Sequence, residues 1–199
     1  LNALIESENS NFSEIDRYYL KYSKYFSSKK LTTNKMLSNY MHIPHIISKL
    51  EHSKVIYTFR NPLDNILSMY RAKFTGTGNE YSSSLVDSAN YYMHHFKIMS
   101  FYKEKYKKHI YFLNYDKLVN NPEEQIRKVI CWLEFIWDEN YLKPYTNTQG
   151  FFTASNVQVR SPINNKSVGG WGKYSNLLSQ SLQVFEDNNF ALDSFEKFD

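Results

Sequence analysis

Lys54-Val55-Ile56-Tyr57-Thr58-Phe59-Arg60-Asn61-Pro62-Leu63-Asp64-Asn65-Ile66-Leu67-Ser68 is the stretch on which the fold turns. Its first six residues are β-branched or aromatic after one lysine, which predicts a buried strand. The strand breaks at Arg60-Asn61-Pro62 and a helix follows at once. Asn61 can cap that helix, Pro62 suits its first position, and Asp64 completes a pattern like a capping box. Leu63, Ile66, Leu67 and Tyr70 make the apolar stripe, which places Asp64 and Ser68 off the core face.

Working outward, His109-Ile110-Tyr111-Phe112-Leu113-Asn114 reads as a second strand. Between the two strands, Ser84-Leu85-Val86-Asp87 opens a long helix with Leu85, Ala89, Tyr92, Phe96 and Met99 on one face. After Tyr115-Asp116 a further helix starts at Asn121-Pro122-Glu123-Glu124, with Ile126, Val129, Ile130 and Leu133 as its core stripe. Upstream, Ile15, Tyr18, Tyr19, Tyr22 and Phe26 keep helical spacing up to about Lys30. Leu31 to Met36 reads as a polar turn after a short strand, and a helix is expected over about Ile43 to Leu50. From Phe151 to Lys173 the chain is polar and irregular, and a short helix closes it. Strands alternating with helices predict an α/β domain around a mainly parallel sheet. Ligands of such sheets gather at the carboxyl ends of the strands, where Arg60, Tyr115 and Asp116 fall.

The 199 residues suit one domain spanning 1–199, with 42% hydrophobic and 17% aromatic residues and only 6 Gly and 5 Pro. There is no repeat period and no low-complexity linker. A net charge of +4 suits an anionic ligand without deciding the fold. The single cysteine, Cys131, excludes a disulfide framework or a multi-cysteine metal site, and its helical position predicts packing. His42 and His45 lack a third ligand, so no metal is expected. No apolar run approaches the roughly 20 residues of a membrane span, and the start lacks a basic leader and cleavage site. A cytoplasmic protein is expected, and a homodimer is compatible with these features. The basic residues are dispersed among 20 acids, so no nucleic-acid face is expected. A P-loop kinase is disfavoured because no G-x-x-x-x-G-K-[ST] occurs.

Three groups of residues invite chemistry. Arg60 ends a strand just ahead of a helix N-terminus, where its fork and free backbone N–H groups could hold an anion, with Ser68 adding a hydroxyl. The same arginine could equally pair with Asp64, four residues on, and the spacing leaves both readings open. Thr153 to Asn164 gathers hydroxyls, amides and Arg160 in a segment with no period, the composition of an ordinary solvated loop. Lys35 follows a Thr-Asn turn and, taken alone, reads as a surface charge.

Taken together these groups resemble one family. Thr33-Asn34-Lys35-Met36, the Arg60 to Ser68 run, Tyr115-Asp116-Lys117-Leu118-Val119, and Thr153 to Arg160 with Pro162-Ile163 and Trp171 follow in an order similar to that of the sulfotransferases dependent on 3′-phosphoadenylyl sulfate (PAPS). The branch most like it holds tyrosylprotein sulfotransferases and bacterial enzymes fused to tetratricopeptide repeats. The resemblance implies a three-layer domain like that of P-loop NTPases, with PAPS as co-substrate and no metal. Arg60 and Ser68 would bind the 3′-phosphate, and Tyr115 would line the nucleotide pocket. Ser155, Asn156, Val157, Gln158, Val159 and Arg160 would wrap the nucleotide. Lys35 and Ser155 would be catalytic, Lys35 supporting charge on the oxygen that the sulfuryl group leaves. The acceptor would be a hydroxyl on a protein tyrosine, a glycan or a small molecule.

The family's phosphosulfate loop and the general base that follows it are not found in the chain, which begins without Met. The expectation is therefore a domain truncated at its N-terminus, lacking the first strand, loop and helix. Glu6, Glu8, Glu14 and Asp16 sit in no matching context and read as surface acids. Gly170 stands beside Trp171 where relatives commonly carry a basic residue, which Lys166 or Lys173 could replace. The alternative to an enzyme is a non-catalytic nucleotide-binding or interaction module that keeps the fold.

Overall fold

The computed structural model of the chain describes residues 31, 33–50, 52–74, 78–146 and 161–199. The helix expected before Lys30 and the segment from Thr153 to Arg160 lie outside them. The chain parts into two compact units, Leu1–Val55 and Ile56–Asp199.

In the first unit, residues 33–36 carry no regular structure and lead into a 3-10 helix over Leu37–His42. Helix α1 follows at Ile43–Lys49, with Pro44 in its first turn and both Ile43 and Pro44 buried. Pro44 suits that place because its missing N–H would have no intrahelical partner there. The helix ends within a residue of the expected bound, where the Leu50 N–H returns to the Ile46 carbonyl.

Strand β1 covers Val55–Phe59 and pairs with the parallel strand β2, Ile110–Asn114. Among the described residues the sheet has these two strands. β1 was expected to be buried throughout, but it alternates. Phe59 is buried, whereas Thr58 is exposed and Ile56 is 42% exposed. The period of two sends Tyr57 and Phe59 to one face, where they meet Phe112, Phe195 and Phe198 edge-on, and leaves Ile56 and Thr58 on the other.

The crossover from β1 to β2 runs through helix α2, Pro62–Ala72, a 3-10 turn at Glu80–Ser83, and the long helix α3, Leu85–Lys105. Both helices start where their sequences predict, but Asp64 does not close a capping box: its carboxylate turns to Gly169 and Trp171, and the Asn61 N–H goes to Asp116. Asn61 Oδ1 accepts from the N–H groups of Leu63 and Asp64 at 3.0 and 3.2 Å. Ser84 Oγ accepts from the Asp87 N–H at 3.1 Å. Such caps contribute on the order of 1 kcal/mol each. α2 ends at Lys73, whose left-handed backbone sends its N–H to the Met69 carbonyl.

The apolar stripe of α2 then does what its spacing predicts. Leu63, Ile66 and Leu67 join Leu85, Ala89, Tyr92 and Met93 of α3 in one core, completed by Leu178 and Phe185. Phe185 belongs to helix α6, Ser179–Asp187, and two further helices lie between β2 and it in sequence. Those are α4, Tyr115–Asn120, and α5, Pro122–Trp132. α4 departs from the sequence pattern, which predicts a strand to Asn114 and the next helix from Asn121. Asn114 explains it: its buried Oδ1 caps the N–H groups of Asp116 and Lys117, so β2 turns into a helix without a loop.

α5 departs in a different way. Ile126, Val129, Ile130 and Leu133 are only half-buried, and Cys131 is exposed rather than packed. Solvent-exposed charge pairs line its outer face instead, Arg127 with Glu123 at 2.7 Å and Lys128 with Glu124 at 2.5 Å, at the i, i+4 spacing that favours a helix. Beyond α6 a 3-10 stretch, Leu192–Phe198, returns Phe195 and Phe198 to the sheet.

His95 of α3 packs edge-on against Tyr57, and burial pushes its imidazole down to about 4 from an ordinary 6.5. His94 beside it is exposed. The unfolded chain therefore takes up a proton on His95 through the pH range in which the native chain refuses it. Native stability is complete above about pH 6.5 and falls as pH drops toward 4, by at most about 3 kcal/mol. Urea denaturation at pH 7 and pH 4.5 should show this slope in the native chain and a flatter one in His95→Phe. Equal slopes in the two proteins would rule the origin out.

Candidate anion-binding site

Arg60 is the first residue past β1, and Tyr115 is the first past β2. Parallel pairing brings the two carboxyl ends to one edge, so the guanidinium carbon of Arg60 lies 4.7 Å from the centre of the Tyr115 ring. Stacking on an aromatic face contributes about 0.5–2 kcal/mol and holds the planar fork in one orientation. The backbone is held too: the Tyr92 hydroxyl donates to the Arg60 carbonyl at 3.3 Å, tying the strand end to α3.

Both readings that the spacing of Arg60 and Asp64 left open bear on this geometry. Arg60 Nη2 lies 3.5 Å from Asp64 Oδ2, so the ion pair forms. The same nitrogen donates to the Ser167 carbonyl at 2.7 Å. Arg60 Nε is buried and has no hydrogen-bond partner among the described residues. A buried guanidinium N–H left in that condition costs free energy until an acceptor arrives.

The expectation of free N–H groups at the start of α2 needs correction. Asn61 Oδ1 takes those of Leu63 and Asp64, Pro62 has none, and the Asn61 N–H donates to Asp116 Oδ2 at 3.1 Å. An anion at this edge would therefore meet the arginine fork and not free N–H groups of the helix. Asp116 itself is half-buried with its Oδ1 unpartnered among the described residues. Burial raises its carboxyl above the ordinary value, against the Asn61 N–H and Arg60, which pull it down.

Asp64 also departs from expectation. Read as off the core face, its side chain is 2% exposed. The cause is tertiary: Oδ2 accepts from the Gly169 N–H at 2.7 Å and Oδ1 from the Trp171 N–H at 2.9 Å. Gly169 is in the left-handed region at φ 68, which favours glycine there. At Gly170 an added Cβ would meet Asp64 Oδ1 at an ordinary 3.7 Å, so space does not exclude a side chain at that place. Trp171 then packs on the core beside α2.

Ser68 is exposed on α2, on the same helix as the Asp64 contact but two residues past the buried Ile66. Lys35 is exposed and lies in the first unit. Lys166 and Lys173 are exposed as well. Ser155, Asn156, Val157, Gln158, Val159 and Arg160 lie outside the described residues. The structure thus brings Arg60 and Tyr115 together and adds Asp64, Asp116 and the backbone of Ser167 to Trp171. The signals for that addition were the i, i+4 spacing of Arg60 and Asp64 and the Gly169-Gly170 pair ahead of Trp171. Among the described residues no group of three or more His, Cys, Asp or Glu side chains could hold a metal ion. Among them too, no helix is long and apolar enough to cross a membrane.

A profile of the sulfotransferase family matches residues 4–139, and the chain belongs to that family. An uncharacterized protein of Aquifex aeolicus (strain VF5) is 27% identical over 188 residues, covering 93% of this chain and 25% of its own length. The chain therefore spans about a quarter of that relative. Among solved structures, the sulfotransferase domain from the curacin biosynthetic pathway aligns with a TM-score of 0.48 and 15% identity, over 89% of this chain and 68% of its own.

Proposed function

We propose that this chain carries the 3′-phosphate site of a PAPS-dependent sulfotransferase of the three-layer, P-loop-like kind. Membership of the sulfotransferase family supports the class, and one observation supports the site. At the carboxyl edge of the sheet Arg60 is stacked on Tyr115 with a buried N–H that lacks an acceptor among the described residues. A phosphate offers that acceptor in the geometry a planar fork prefers. PAPS supplies the sulfuryl group that moves to a hydroxyl acceptor, and the protein's part is to position and to stabilise charge.

In this reading Arg60 grips the 3′-phosphate, Ser68 adds a hydroxyl, and Tyr115 lines the nucleotide pocket. Ser155 to Arg160 enclose the nucleotide, and Ser155 with Lys35 serves the transfer. An ammonium at Lys35 helps only as charge builds on the bridging oxygen, which is the differential binding that catalysis needs. The acceptor is a hydroxyl of a protein, a glycan or a small molecule, and the setting is cytoplasmic.

A second reading is favoured by a specific contact. Arg60 already holds Asp64 and the Ser167 carbonyl, as a purely structural arginine would. A non-catalytic module that retains the fold would be built in this way.

Adenosine 3′,5′-bisphosphate decides whether the site binds. At about a hundredfold excess over Kd it should stabilise the native chain by about 2.7 kcal/mol, seen as a rise in Tm. The absence of any rise at millimolar ligand would remove the binding claim, and with it the enzyme.

A further inference from the structure

We infer that Asp64 is a positioning residue of this site, which clasps the Ser167–Trp171 segment over Arg60 and so sets the guanidinium for the 3′-phosphate. The inference rests on the functional reading above and adds to it a residue whose charge is opposite to that expected at an anion site.

Asp64 spends both oxygens on one short stretch of backbone, at Gly169 and Trp171, across more than a hundred positions of sequence. Its neighbour Arg60 grips the same stretch through the Ser167 carbonyl. Three points within five residues are thus held from a single turn of chain at the junction of β1 and α2. Residues 162–165 before it carry no helix or strand, and its other anchors are the Asn165 side chain on Asn120 and the Trp171 ring on the core. The carboxylate is nearly fully buried, and a buried charge persists only when paired and hydrogen-bonded. Here Arg60 supplies the charge and the two N–H groups supply the bonds.

The consequence for ligand binding has a definite sign. A carboxylate 3.5 Å from Arg60 Nη2 should, by Coulomb's law alone, oppose a phosphate at the same guanidinium. If Asp64 were only a counter-ion, removing its charge would tighten phosphate binding. If it positions the clasp, replacing one carboxylate oxygen by an amide nitrogen leaves one of the Gly169 and Trp171 N–H groups facing a donor, opens the clasp, lets Arg60 swing, and weakens binding. Positioning outweighs repulsion when the fork must meet the phosphate in one geometry, because misaligned hydrogen bonds to a charged group lose most of their strength.

The test compares native protein with Asp64→Asn by calorimetry well below Tm, using adenosine 3′,5′-bisphosphate and adenosine 5′-monophosphate. Loss of a charge-assisted contact predicts bisphosphate binding weaker by about tenfold or more, with a much smaller change for the monophosphate. Equal weakening of both ligands, or tighter bisphosphate binding, would overturn the inference, since general loosening moves both and a bare counter-ion moves the sign. A second measurement needs no variant. By reciprocity of linkage, saturating bisphosphate should slow hydrogen exchange at the Gly169 and Trp171 amides of the native chain. Unchanged exchange at saturation would equally overturn it. If the native chain binds no bisphosphate, the functional reading falls, and the positioning role falls with it. Protected Gly169 and Trp171 amides that Asp64→Asn releases would then leave the clasp as architecture alone.

Discussion

Arg60→Lys is expected to weaken adenosine 3′,5′-bisphosphate binding by roughly a hundredfold while leaving the chain folded. The reason lies in shape rather than charge. The guanidinium is planar, stacks on Tyr115 at 4.7 Å, and reaches the Ser167 carbonyl and Asp64 through one nitrogen while its Nε remains for an acceptor. An ammonium keeps the positive charge but has no planar face to stack and no parallel, coplanar pair of N–H groups to meet two oxygens at once. It can still neutralise Asp64, so a collapse of the fold is not expected. Titration calorimetry of the two proteins, with circular dichroism to verify folding, checks the result. Binding within twofold of the native value would show that charge alone suffices and that the fork has no part in recognition.

Phe198→Ala carries the largest expected cost in stability, about 3–5 kcal/mol for loss of a buried aromatic ring. Phe198 is 3% exposed although it lies one residue from the last position. Its ring meets Tyr57, Phe59, Phe96 and Phe112, so one side chain joins both strands to α3. The end of the chain is held beside it by Asp199, whose carboxylate accepts from Asn114 Nδ2 and pairs with Lys117 at 3.1 Å. Lys103 adds a bond to the Lys197 carbonyl. Two parallel strands have little stability by themselves, and this aromatic seam covers much of the inner face of β1 and β2. The midpoint of urea denaturation should fall sharply in the variant. A loss below about 1 kcal/mol would mean that the last turn frays in the native chain and contributes little.

Much of the fold was legible from local chemistry. The capped starts of α2 and α3, the ends of both strands and the apolar stripe of α2 follow from side chains acting on backbone a few residues away, and α5 starts at Pro122 as expected but without a side-chain bond from Asn121. Such contacts are written in sequence spacing. α4 was missed although its cap is equally local, because Asn114 was counted as the last residue of a strand and not as the first cap of a helix. The half-exposed α5 and β1 were read as buried because apolar periodicity tells which face is apolar and not how completely something covers it.

At the candidate site the division has a clear physical cause. Local pattern places Arg60 at the end of one strand, Tyr115 after another, and both at the carboxyl edge of a sheet. The backbone geometry of adjoining residues is enough for that. Only the tertiary structure decided what Arg60 touches. It spent the helix N–H groups on Asn61 and Asp116, buried Asp64, and brought Ser167 to Trp171 back across more than a hundred residues. Buried donors and acceptors must find partners wherever the chain brings them. Which partners those are depends on packing between distant segments, and no local pattern encodes it.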